Sequence, residues 1–258
     1  MRYFSYHYDP AKRTFQIVAR IKDSPGSLGA LLTGLRPQVN LVSTVGYTTA
    51  DGRAVWSAFA EALGDQVTEE TLRKAISDSK SAEDAFVEAS QDGLLVDAFH
   101  RGIEVGQGEE FVLFPAKGLS HTFDELAEVF GGGGEEMLYD EGFSLGRVNG
   151  KYFAGLLGSQ ATRDAIARLA LLYGAMGWGE LGLSVQGEGS SFIAAVFDCF
   201  ECSGMRRVRR SCSFMRGHLA GVLSTVFEVS LNSKETKCRL RNDDVCEFQL
   251  SQAPLVPV

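Results

Sequence analysis

All five cysteines of this 258-residue chain lie beyond position 198. Three of them, with one acid, put four donors between positions 212 and 246: Cys212, Glu235, Cys238 and Cys246. Soft thiolates plus a carboxylate suit a tetrahedral zinc ion with no open position, a structural rather than a catalytic site. Strand parity sharpens the reading. Val229, Leu231, Ser233 and Glu235 alternate with Glu228, Ser230, Asn232 and Lys234. Period-two alternation therefore places Glu235 on the apolar side of a strand. In Cys246-Glu247-Phe248-Gln249-Leu250 the inward set is Cys246, Phe248 and Leu250, and the polar run Arg241–Asp244 reads as the hairpin connection. An unpaired carboxylate on that buried side would be costly, and a metal would remove the cost.

Other readings of the same residues stand beside this one. Buried cysteines are common as small hydrophobes, and Glu235 at a strand end could simply face water. Cys199 and Cys202 form a C-x2-C pair that could join Cys238 and Cys246. Against that set, Cys199 continues the apolar run Phe192–Phe197, which reads as a central strand, so core packing suits it better.

Cys212, Gly217 five residues on, the pair Ala220-Gly221 and then Glu235-x2-Cys238-x7-Cys246 together resemble the 4-vinyl-reductase domain family. They are especially similar to the zinc-containing sensor domains of phenol-responsive bacterial transcription activators. Met137–Gly146 looks like that family's first long helix, and the similarity covers roughly residues 110–251. The resemblance implies structural zinc at Cys212, Glu235, Cys238 and Cys246, with Cys199 and Cys202 outside the shell. It also implies a closed apolar pocket for a small hydrophobic or aromatic molecule.

Hydrophobic residues make up 45% of the chain and charged residues 22%, enough for real cores in a globular protein. The length suits two domains, drawn here as residues 1–100 and 101–258. An odd set of clustered cysteines speaks for metal ligation in a reducing cytoplasm, not a secreted disulfide framework. No signal-peptide core opens the sequence, and no apolar run reaches the ~18 residues of a membrane span. A cytoplasmic protein without a membrane partner is expected. A net charge of −8 argues against a general nucleic-acid binder.

The first hundred residues read as β-α-β-β-α-β. Strand Phe15–Ile21 turns at Asp23-Ser24-Pro25-Gly26, and leucines at helical spacing follow until Pro37. Two strands flank Asp51-Gly52, Thr68-Glu69-Glu70-Thr71 opens a second helix, and Ala85–Ala89 begins a last strand. The element order, the Asp23-x-Pro25-Gly26-x-Leu28 turn and Asn40-Leu41 after the helix resemble ACT domains. That implies a ferredoxin-like module, pairing into a homodimer, and an amino-acid site around Asp23, Gly26, Leu28 and Asn40. Gly26 suits close ligand approach, while Asp23 would serve equally as an exposed helix cap.

The second domain reads as α/β. A strand is expected at Phe111–Pro115, a helix at about Thr122–Phe130 and a loop at Gly131–Gly134. Helices Glu135–Leu157 and Thr162–Met176, strands Glu180–Gln186 and Ser190–Phe200, a helix after Cys212 and the ligand hairpin complete it. That last helix carries an apolar stripe, Met215/Leu219/Val222/Leu223/Val226, and a small one, Gly217/Ala220/Gly221/Ser224. The small stripe fits tight packing or a ligand-facing wall. Candidate pocket residues are Phe143, Leu169, Tyr173, Trp178, Phe192, Gly217, Gly221 and Phe227. Gly177–Gly182 spells G-x-G-x-x-G but follows a helix and precedes a strand, the wrong order for a dinucleotide fingerprint. Arg206, Arg207, Arg209 and Arg210 read as a solvated loop. His218 reads as an interfacial or helix-surface residue, and no catalytic constellation accompanies any histidine.

The sequence thus predicts a non-enzymatic regulatory or sensor protein: an ACT-like module plus a zinc-stabilised ligand-binding domain. Two alternatives remain, an enzyme accessory of a tetrapyrrole-type pathway and an assembly scaffold akin to vesicle-tethering subunits.

Overall fold

The computed structural model describes residues 6–22, 24–49, 51–100, 103–105, 109–157, 163–186, 191–204 and 211–252. The chain divides into two compact units between Val112 and Leu113. The protein is mixed α/β throughout.

In the first unit the order is β1 (Tyr6–Tyr8), β2 (Thr14–Ile21), α1 (Ser27–Leu35), β3 (Val39–Thr48), β4 (Ala54–Ala62), α2 (Glu69–Asp78), β5 (Ala82–Ala89) and β6 (Leu94–Val96). A short ladder of β7 (Ile103–Val105) and β8 (Glu109–Phe111) follows. The main sheet runs β3-β4-β2-β5, all antiparallel, with Ile17 opposite both Ala58 and Val87. Alternation decides the core: Phe15, Ile17 and Ala19 join Trp56, Ala58, Ala60 and Val87 against Leu31 and Leu35 of α1 and Leu72 and Ile76 of α2. Helix α2 starts where its cap dictates, Thr68 and Thr71 exchanging side-chain and backbone hydrogen bonds in a capping box. The central strands are buried on the opposite face too, at Gln16, Val18, Val55, Ser57 and Phe59. Strand β6 packs on β2 there, with Leu95 buried. The buried Gln16 amide ties down the next turn, donating to Asp97 and accepting from the Ala98 N–H at 2.9 Å.

The second unit comprises α3 (Ala116–Phe130), α4 (Gly132–Leu157), α5 (Arg163–Ala175), β9 (Glu180–Gln186), β10 (Ser191–Phe197), α6 (Ser213–Val226), β11 (Leu231–Lys237) and β12 (Cys246–Gln252). Its antiparallel sheet runs β11-β12-β10-β9, pairing Phe192 with Leu250, Ala194 with Phe248 and Val196 with Cys246. The same residues form one alternately buried face. Nearly all of α6 is buried, because it lies against α4 as well as β11.

Two boundaries differ from expectation. Val112, Leu113 and Phe114 form no strand and are exposed; a short apolar run followed by proline cannot be told from an extended connector by periodicity. Helix α3 begins at Ala116, directly after Pro115, rather than at Thr122, since proline is tolerated at a helix start. Only Gly131, at φ 59°, interrupts the chain before α4, so Gly132–Gly134 are helical instead of a loop. No described helix is long and apolar enough to cross a membrane.

Candidate metal centre and its aromatic neighbourhood

Strand β10 stops at Phe197 because Asp198 takes a left-handed conformation, φ 49°. The chain turns back into a single 3-10 turn, Phe200–Cys202, with Cys199 at its start. Cys212 sits at the N-cap of α6. On the hairpin, β11 loses register between Glu235 and Lys237, a bulge that re-aims the strand end just before Cys238. Cys246 opens β12 on its buried face.

These elements bring the thiols together. Cys202 Sγ lies 3.2 Å from Cys212 Sγ, 3.3 Å from Cys246 Sγ and 3.8 Å from Cys238 Sγ. Cys212 Sγ is 3.9 Å from both Cys238 and Cys246. Two four-donor groups fall within 4.8 Å, Cys212/Glu235/Cys238/Cys246 and Cys199/Cys202/Cys212/Cys246. All five cysteines are free thiols. S–H groups of Cys199, Cys202, Cys212 and Cys238 converge on the Cys246 sulfur and pull its pKa down. Their crowding, Cys199 foremost, pushes those of Cys202 and Cys212 up. Zinc–sulfur bonds of ~2.3 Å in a tetrahedron hold sulfurs about 3.8 Å apart, so the donor set fits that ion in type, number and spacing.

The placement of Cys202 corrects the expectation that it stands apart from the cluster. Apolar patterning carries the strand through Phe200, but the turn at Asp198 folds Cys202 back onto the hairpin.

Glu235 alternates inward as its parity predicts, yet it has partners of its own. One carboxylate oxygen accepts the Cys212 backbone N–H at 3.2 Å and the other the Arg241 guanidinium at 3.2 Å. Burial raises its pKa, against the pull of that N–H and of Arg241. A second acid escaped the sequence reading. Glu201, fully buried, accepts the N–H groups of Phe214 at 3.3 Å and Met215 at 2.7 Å. Two carboxylates thus satisfy three orphan donors at the start of α6, where the helix dipole favours negative charge.

Away from the thiols, α6 touches α4 backbone to backbone. A Cβ at Gly217 would stand 2.0 Å from the Tyr139 carbonyl oxygen, and one at Gly221 2.3 Å from that of Phe143. From the α4 side, Gly142 and Gly146 meet the carbonyl oxygens of Phe214 and His218 at 2.1 and 2.3 Å. Gly217 and Gly221 therefore line a helix–helix seam rather than a ligand pocket. The complementary spacing of Gly142, Gly146 and Gly150 on α4 was the signal for it.

His218 is also corrected: it is 1% exposed, not a surface residue. The opposite side of α6 from its apolar stripe is covered as well, so periodicity misplaced it. Burial lowers its pKa to about 3, keeping the imidazole neutral. Asn149 donates to its Nε2 at 2.9 Å, and its Nδ1 lies 2.7 Å from the Tyr173 hydroxyl. The ring stacks on Trp178 with centroids 4.0 Å apart. Phe214 completes that stack and packs on Phe123 and Phe200. Of the other pocket candidates, Leu169 and Phe192 are buried, Phe227 packs on Phe192, and half-buried Phe143 stacks on Tyr139.

In the first unit, Asp23 lies outside the described residues, as do Arg206, Arg207, Arg209 and Arg210. Gly26 adopts φ 89° at the start of α1, and it, Leu28 and Asn40 are exposed. A polar chain that sequence reasoning missed links Asp97 Oδ2 to His100 Nδ1 at 2.8 Å and His100 Nε2 to the Tyr47 hydroxyl at 2.9 Å. Burial works against the Asp97 carboxylate, but hydrogen bonds from His100 and Gln16 hold its pKa at about 2.

Residues 192–252, from β10 through α6 to the end of β12, match the 4-vinyl-reductase domain family. The structure is similar to three solved ones. One is the phenol-responsive sensory domain of the transcription activator PoxR with phenol: 15% identity, covering 56% of this chain and 77% of that one, TM-score 0.49. Another is a trafficking protein particle complex subunit 3 from Naegleria fowleri covalently bound to palmitic acid: 15% identity, 55% and 98% coverage, TM-score 0.44. The third is a vinyl-4-reductase family protein from Methanocaldococcus jannaschii: 18% identity, 57% and 85% coverage, TM-score 0.38. No curated protein matches the sequence.

Proposed function

We propose that the C-terminal unit is a non-enzymatic sensor domain for a small hydrophobic or aromatic molecule, stabilised by one structural zinc. The 4-vinyl-reductase domain match over residues 192–252 carries this reading, because that segment contains all five cysteines and α6. Cys212, Cys238 and Cys246 supply three thiolates, and the sequence resemblance makes Glu235 the fourth ligand. The metal would tie the start of α6 to the β11–β12 hairpin. The ligand would bind beside α6, where Tyr173, Trp178 and Phe214 surround the buried imidazole of His218, an apolar enclosure with few polar groups. To signal, it must bind one arrangement of the unit more tightly than another. The N-terminal unit, drawn at residues 1–100, is proposed as an ACT-like module that pairs two chains into a homodimer or holds an amino acid near Gly26, Leu28 and Asn40.

A thermal-shift screen of aromatic, fatty and isoprenoid compounds tests the reading, with native mass spectrometry of the protein as purified. A binder at a hundredfold excess over its dissociation constant should add about 2.7 kcal/mol. One zinc per chain and a stabilising compound are expected. No metal and no shift across the panel would overturn it.

One observation favours a second reading, an assembly scaffold. The glycine seam leaves no room between α4 and α6, and a unit that binds only other proteins needs none.

A further inference from the structure

We infer that Cys202, not Glu235, supplies the fourth zinc ligand, giving an all-thiolate site of Cys202, Cys212, Cys238 and Cys246. The inference rests on the zinc-binding reading above and changes its ligand set.

Distance is the first ground. The three separations from Cys202 to the other sulfurs, 3.2, 3.3 and 3.8 Å, and the two from Cys212, both 3.9 Å, bracket the ~3.8 Å of tetrahedral zinc–thiolate geometry. The remaining pair, Cys238 and Cys246, falls within 4.8 Å. Each sulfur comes from a different piece of backbone: the 3-10 turn, the N-cap of α6, the end of β11 and the start of β12. They converge from four directions, as a closed shell requires.

Partners are the second ground. Glu235 already has an occupation: its two oxygens bind the Cys212 N–H and Arg241. That pairing removes the cost of burying the carboxylate, the cost that first pointed to a metal at this residue. Cys202, by contrast, has its sulfur among thiols at three short distances. Neutral thiols are weak donors and acceptors that gain little from such crowding, whereas a shared cation accounts for it.

Chemistry is the third. Zinc is borderline-soft and takes four thiolates as readily as three plus a carboxylate. On binding, the four thiols release their protons to solvent, and Glu235 remains a carboxylate beside Arg241. Glu235 then orients the Cys212 backbone from outside the ligand shell.

X-ray absorption at the zinc edge of the full chain counts the sulfurs directly. Wild type should show four at about 2.3 Å. Glu235→Gln and Cys199→Ser should keep four, and Cys202→Ser should drop to three with one oxygen or nitrogen neighbour. Three sulfurs and one oxygen in wild type would overturn the inference while leaving the zinc reading intact. So would loss of a sulfur in Cys199→Ser with four retained in Cys202→Ser. Wild-type protein with no zinc by elemental analysis would sink the underlying reading itself. If Cys202→Ser fails to fold, the wild-type and Glu235→Gln counts still decide the matter.

Discussion

Gly146→Ala tests the helix seam on which the second unit is built. A Cβ there would sit 2.3 Å from the His218 carbonyl oxygen and 3.0 Å from its Cα. Both are main-chain atoms of a buried helix, so no rotamer change relieves the clash. Regaining the 3.4 Å of ordinary contact needs α4 and α6 to part by about 1 Å, which forfeits a quarter to a half of each neighbouring dispersion contact. Overpacking of this kind costs about 1–3 kcal/mol, and backbone on both sides places it near the top of that range. Helix propensity returns about 1 kcal/mol, leaving a net loss of about 2 kcal/mol. Gly155, in the same helix, has nothing within 4 Å of a built Cβ. Alanine there should stabilise by about 0.5–1 kcal/mol. The assay is urea unfolding of the full chain followed by Trp178 fluorescence, with thermal melts in parallel. At about 2–4 °C per kcal/mol, Gly146→Ala should melt roughly 4–8 °C lower and Gly155→Ala slightly higher. Gly146→Ala melting at or above wild type would refute backbone contact at this level.

Cys238→Ser should destabilise the C-terminal unit far more than Cys199→Ser, read as unfolding midpoints of zinc-loaded protein, because metal binding is coupled to folding free energy. The difference should vanish once a chelator has stripped the metal. His218, with its pKa near 3 in the fold against 6.5 unfolded, binds fewer protons folded than unfolded between those values. Its contribution is full above pH 6.5 and falls with acid by about 1.4 kcal/mol per unit until about pH 3. His218→Gln should flatten the stability slope between pH 6 and 4 relative to wild type, and an unchanged slope would contradict the buried neutral imidazole. Light scattering should give twice the chain mass at micromolar concentration if the ACT-like unit pairs.

Much of the hairpin was legible in its residues. Parity alone turned Glu235, Cys246, Phe248 and Leu250 to one face, since a strand's period of two leaves no other choice. The cysteine cluster was legible in part: Cys199-x2-Cys202 was visible as a pair, but a single left-handed residue, Asp198, carries it to the site. No local pattern announces such a turn in an aspartate. His218 failed for a different reason. Helical periodicity separates an apolar face from a wet one only when one side meets solvent, and α6 is covered on both. Its mix of apolar and small residues all round was the clue. Glu201 could not be found from spacing, because its partners are backbone N–H groups beyond residues 205–210.

Glycine packing also fixes the order in which the C-terminal unit can assemble. Gly142, Gly146, Gly150 and Gly155 lie inside α4, each about 0.8–1.0 kcal/mol poorer than alanine as a helix former. A helix so weakened does not persist on its own in water. It has to condense on α6, which ends at Val226, sixty-nine residues after α4 ends at Leu157. At about 5–20 residues per second, a growing polypeptide exposes α4 for roughly 3–14 s before its partner has been made. During nascent-chain synthesis the earlier helix is therefore the client of the later one, and any chaperone that meets this protein will find α4 first.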